Sequence, residues 1–86
     1  MAKAKIFVFV EESLRNNSWL KESRQNLSDK FEFCEFIDVK LGLEDFKKQS
    51  KRVACLMVLF EDRQKIFQII EEINKTGYMN PIVSNI

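Results

Sequence analysis

The acidic side chains of this sequence arrive in suggestive pairs. Glu11-Glu12 follows the apolar run Ile6 to Val10, and Glu61-Asp62 follows the apolar run Val53 to Phe60. Gathered carboxylates are hard oxygen ligands that suit Mg²⁺. Glu11, Glu12 and Asp62 are therefore the candidate metal residues, with Glu61 beside them. A plainer reading competes: acids at the start of a helix complement its dipole by about 0.3–1 kcal/mol, and Asp62 or Glu61 stands where it can cap one. We prefer the plainer reading, under which no cofactor is required.

Other chemistries are narrowed by composition. The chain has no histidine, which excludes His-based triads, His general bases and His metal ligands. Its two glycines, Gly42 and Gly77, stand far apart, so neither a Walker loop nor a Rossmann fingerprint is present. Cys34 and Cys55 lack the CxxC spacing of a redox pair and read as reduced core thiols of a cytoplasmic protein. Lys47, Lys48, Lys51 and Arg52 form a basic run. With a net charge of +1 and no interleaved aromatics, that run reads as a solvated helix face and not a nucleic-acid contact. Trp19 and Tyr78 read as rings covering the core with their polar tips outward.

These residues need elements to position them. Two apolar runs, Ile6–Val10 and Val53–Phe60, are continuous where a half-buried strand would alternate. Continuous short runs mark strands covered on both faces, and Val53, Val58 and Phe60 favour strand. Helix begins near Ser13, or at Trp19 with Asn17 or Ser18 as N-cap, and carries the narrow stripe Leu20, Ser23, Leu27 and Phe31. Phe31–Val39 reads as an edge strand, its acids Glu32, Glu35 and Asp38 discouraging aggregation. Leu43 and Phe46 suggest a short helix over Leu43–Ser50. Ile66, Phe67, Ile69, Ile70 and Ile73 define the clearest helix, ended by Gly77 at C′, with Tyr78 folding back on Ile73 in a Schellman motif. Ile82–Ile86 reads as a final strand after Pro81.

The 86 residues make one domain, residues 1–86, that buries only about 60% of its unfolded surface. Two lysines precede the first apolar run, but five apolar residues are too few for a signal peptide, and no stretch approaches a membrane span. The matches to the glycosylation sequon at Asn16 and Asn26 are read as chance.

Two architectures compete. With a helix over Leu43–Ser50, every connection is a crossover, and the fold is a small three-layer α/β domain with a parallel sheet ordered 2-1-3-4. Without it, the order becomes βαββαβ, an α+β ferredoxin-like sheet ordered 4-1-3-2. Only the first covers both faces of VACLMVLF with helices, so burial favours it. It also gathers Glu11, Glu12, Glu61 and Asp62 at one rim, where open α/β sheets place their sites. The ferredoxin-like sheet would put the two acid pairs at opposite ends.

In the parallel arrangement, Lys5-IFVFVEE, Glu35-FIDVKLGLEDFKK, Val53-ACLMVLFED and Ile73-NKTGYMNPIVS resemble successive segments of a response-regulator receiver domain. The resemblance implies Glu11 and Glu12 as Mg²⁺ ligands, Asp62 as the phosphoacceptor candidate and Ser84 as the switch hydroxyl. The chain departs from that pattern in three ways. It ends before a fifth strand and its lysine, the acid pair is Glu-Glu, and a helix starts at once after Asp62. The expectation is a degenerate, receiver-like regulatory domain that is not an enzyme and signals by contact with a protein partner, not by phosphorylation. Its open last strand offers a route to a homo-oligomer. Two alternatives are a ferredoxin-like module that oligomerises through a bare sheet face, and a phosphorylatable receiver with Asp62 as acceptor.

Overall fold

The computed structural model describes residues 3–85. The two continuous apolar runs form neighbouring central strands, β1 (Ala4–Val10) and β3 (Val53–Leu59). The outer strands are β2 (Phe31–Phe36) and β4 (Ile82–Ser84), and the sheet order is β2-β1-β3-β4. All three pairings are parallel. Parallel β1 and β3 exclude the ferredoxin-like alternative, in which those strands run in opposite directions. The register of β1 against β3 skips Ala54: Lys5 pairs with Val53 and Ile6 with Cys55.

Three helices make the crossovers: α1 (Ser18–Leu27), α2 (Val39–Gln49) and α3 (Arg63–Asn74). Alternation along the strands divides the core between the two faces of the sheet. Ile6, Val8, Val10, Met57 and Leu59 pack with Leu20 of α1. Phe7, Phe9, Leu56 and Val58 pack with Phe46 of α2 and with Ile66, Ile69 and Ile73 of α3. Both faces of β1 and β3 are thus buried, which is why their sequences do not alternate. Among the described residues no polar or charged residue is buried.

Each helix starts at a side-chain cap. Asn17 accepts from the amides of Trp19 (2.9 Å) and Leu20 (3.2 Å), and Asp38 accepts from Leu41 (3.2 Å). The Asp38 cap corrects one boundary. β2 stops at Phe36, not Val39, and α2 begins four residues earlier than the Leu43–Phe46 spacing alone indicates. Val39 belongs to the helix's inward stripe with Leu43 and Phe46. Gly42 obscures that stripe, yet it is buried where α2 crosses closest to the sheet. A Cβ there would lie 2.9 Å from Cβ of Phe36 and collide with Cε1 of Phe9.

α3 ends differently from the expected motif. Gly77 has the left-handed φ of 82° and donates to the Asn74 carbonyl at 3.1 Å. The Ile73 carbonyl, which a Schellman motif would leave for Tyr78, is taken by the amide (3.1 Å) and hydroxyl (2.6 Å) of Thr76. Tyr78 leaves the helix instead. Its ring meets Phe46 edge-on at 5.2 Å, and its hydroxyl donates inward to the Val53 carbonyl at 3.2 Å. The expectation of an outward polar tip fails here because the Val53 carbonyl at the start of β3 accepts from the hydroxyl, as it does from the Asn80 side chain.

Candidate functional site

Parallel β1 and β3 deliver their following residues to one rim. Glu11 donates its backbone amide to the Leu59 carbonyl at 2.9 Å, which carries the β1–β3 ladder one step beyond the strand. Its carboxylate then accepts from the Glu61 amide (3.4 Å) and from the Ser13 hydroxyl (3.2 Å). Glu11 and Glu61 are therefore brought together, but as a carboxylate bonded to a main-chain amide. Asp62 accepts from the Gln64 amide at 2.9 Å and caps α3. Glu12 opens a short 3-10 turn, Glu12–Leu14, and lines a recess of about 430 Å³ with Arg15, Asn16 and Arg24. The rim acids share an edge of the sheet yet face different neighbours. Among the described residues, no three Asp, Glu, Cys or His side chains come together in a way that could hold a metal ion.

The β4 side of this rim is closed by a residue that sequence reasoning passed over. Asn85 places its side-chain amide against Phe60, accepting from the Phe60 amide at 3.0 Å and donating to its carbonyl at 2.8 Å. Its backbone amide reaches the Val58 carbonyl at 3.3 Å. The side chain thereby acts as one more rung of sheet. In the sequence Asn85 is one of two polar residues, Ser84 and Asn85, between Val83 and Ile86, and nothing local distinguishes it. Ser84, the residue matching the receiver switch, is half-buried in β4 opposite Val58.

The opposite rim is basic. Lys47 and Lys48 lie in the last turn of α2, and Lys51 and Arg52 follow in the 3-10 turn Ser50–Arg52. All four are exposed. In a parallel α/β fold the helices run against the strands, so helix C-termini end at this rim and helix N-termini at the acidic one. Lys47 and Lys48 are favourable at the C-terminus of α2. That account explains them without a ligand, and their exposure fits a solvated helix face, whereas α3 carries Arg63 at its start and Glu71 and Glu72 near its end.

The cysteines are free and half-buried. Cys34 packs on the α2–α3 face and Cys55 on the α1 face, so the sheet lies between them. Burial pushes both thiols up from their ordinary pKa, the direction that suppresses thiolate. The same cause pushes the Tyr78 hydroxyl up to about 12.

Exposed apolar side chains lie on the helices (Trp19, Leu41, Phe67) and off them (Ile37, Met79, Val83). Phe67 and Leu41 are each 58% exposed, although both lie in helices with buried faces. Between α2 and α3 runs an open groove of about 460 Å³, floored by Val39, Leu43 and Ile69 and edged by Lys65, Gln68 and Glu72. Among the described residues, no helix is long and apolar enough to cross a membrane.

Fold and rim together define the class: an open, parallel α/β sheet ordered 2-1-3-4, with its acids at the carboxyl ends of the central strands. No family model matches the sequence, and no curated protein matches it either.

Proposed function

We propose that this chain is a receiver-like regulatory domain that works by contact with a protein partner and is neither phosphorylated nor catalytic. The strand order supports the architecture, being that of the first four strands of doubly wound sheets ordered 2-1-3-4-5. The observation that carries the contact reading is the engagement of the rim acids. Glu11 engages its two oxygens on the Glu61 amide and the Ser13 hydroxyl, and Asp62 engages one of its two on the Gln64 amide, so modifying Asp62 at that oxygen would break the cap of α3. The apolar groove between α2 and α3 is the surface that supports a protein partner.

The test is a Mg²⁺ titration with beryllofluoride or acetyl phosphate, followed by Trp19 fluorescence and amide chemical shifts. No change around Glu11, Glu61 and Asp62 is expected, and Asp62→Asn should behave like the parent chain. A Mg²⁺-dependent response abolished by Asp62→Asn would replace this reading with the phosphorylatable receiver, in which Glu11 and Glu12 hold the ion.

Pairing of two copies along β4 is a second reading, favoured by the free outer edge of that strand and the 36% exposure of Val83. Sedimentation over a range of concentrations checks it. A dimer that Val83→Lys disperses supports it, and a monomer throughout removes it.

A further inference from the structure

The segment that completes the sheet is attached unlike the rest of it. β1, β2 and β3 are joined by ladders of six paired positions on either side of β1, whereas β4 contributes three. None of Ile82, Val83 and Ser84 is buried, while their partners on β3, Leu56, Met57 and Val58, all are. What fastens the segment is a polar clasp at each end. At the start, the Asn80 side chain donates to the Val53 carbonyl at 3.0 Å, and Pro81 accepts from the Leu56 amide at 3.0 Å. At the finish, the Asn85 side chain brackets both backbone groups of Phe60. Water can replace such bonds at the surface at little net cost, unlike apolar burial.

The segment also has a pivot. Tyr78 is anchored on Phe46 and on the Val53 carbonyl, Gly77 precedes it in a left-handed conformation, and Met79 after it is 94% exposed. Among the described residues beyond Tyr78, Ile82 alone packs on the core, and it is only half-buried, so the segment can leave with α3 and the buried residues still in place.

We propose that residues 79–85 form a releasable strap, which opens about Tyr78 far more often than the sheet unfolds and uncovers the outer edge of β3. The inference rests on the attachment of β4 and does not depend on the receiver-like reading.

The strand itself supplies the test. On β3, Leu56 donates to Pro81 and Val58 accepts from Asn85, so these residues face the strap. Leu59 accepts from Glu11, so it and its alternate neighbour Met57 face β1. Amide hydrogen exchange on the full chain, resolved by residue, should therefore alternate along one strand. The Leu56 and Phe60 amides should exchange at least about tenfold faster than those of Met57 and Leu59, as local opening below the global unfolding free energy requires. Asn85→Ala should accelerate Leu56 and Phe60 further while leaving Met57 and Leu59 within about twofold. If this variant fails to fold, Asn80→Ala removes the other clasp and makes the same prediction. Equal rates for the alternating amides in the parent chain would overturn the proposal. So would a variant that accelerates all four together, since β4 would then open only with the whole sheet.

Discussion

Replacing Gly42 by alanine tests the packing of α2 more sharply than any large-to-small change in the core. On propensity alone the substitution should help, since alanine is favoured over glycine inside a helix by about 1 kcal/mol. The site forbids that gain. The added methyl would stand 2.9 Å from Cβ and Cγ of Phe36, and closer still to the ring edge of Phe9. Carbon atoms in contact prefer about 3.5–4.0 Å. Cβ of Phe36 moves only with the backbone of β2, and Phe9 is fully buried with its ring centroid 6.1 Å from that of Phe36. Neither neighbour can turn aside, so α2 must lift from the sheet. Overpacking of this kind costs about 1–3 kcal/mol, and collisions from two strands at once place it at the upper end. The net expectation is a loss of about 2 kcal/mol, or about 8–16 °C in Tm for a domain of this size. Urea unfolding followed by helical circular dichroism reads it directly, with the midpoint falling and the slope unchanged. Phe9→Leu removes the ring atom nearest the new methyl, so the double variant should be less destabilised than the two single changes added together. Gly42→Ala as stable as the parent chain, or more so, would refute the close approach of α2 and the placement of its helical face.

Three further outcomes follow from the same geometry. Gly77→Ala meets nothing within 4 Å of the new Cβ, yet φ at this residue is +82°, so it should still lose about 1 kcal/mol in urea unfolding, with Gly77→Asn losing less. Asp62→Ala removes the cap of α3 and should cost about 1 kcal/mol in the same assay. The single tyrosine allows an optical titration. Burial raises the Tyr78 pKa to about 12 in the folded chain against an ordinary 10.0. The unfolded chain therefore loses its proton first as pH rises. The stability this residue contributes should be intact below pH 10 and should fall between pH 10 and about 12, with tyrosinate absorbance appearing only near the upper limit. Tyrosinate forming near pH 10 in the native protein would contradict the burial of the Tyr78 hydroxyl.

Legibility in the sequence tracks how much of the physics is local. The central strands could be read because burial on both faces removes alternation, and Ile6–Val10 and Val53–Phe60 show that directly. Parallel order then followed from needing a helix on each face of β3. The caps Asn17 and Asp62 were legible because capping spans two or three residues. Asp38 was missed because Glu35 and Asp38 together suit an edge strand as well as they suit a helix start. Gly42 misled for a non-local reason: its lack of a side chain serves Phe9 and Phe36, residues on two other elements. Tyr78, Asn80 and Asn85 were beyond reach for the same reason, since their partners Val53 and Phe60 lie 25 to 27 positions away. The acid pairs mix the two cases. Their common rim follows from strand direction, but whether carboxylates at a rim converge on an ion or turn to nearby amides is decided by the turns that follow the strands. Here Glu12 opens a 3-10 turn and lines a recess with Arg15, Asn16 and Arg24, while Asp62 caps a helix through the Gln64 amide. After β3 the helix begins at once, and its capping engages one of the two Asp62 carboxylate oxygens, whereas after β1 a 3-10 turn intervenes before α1 starts at Ser18.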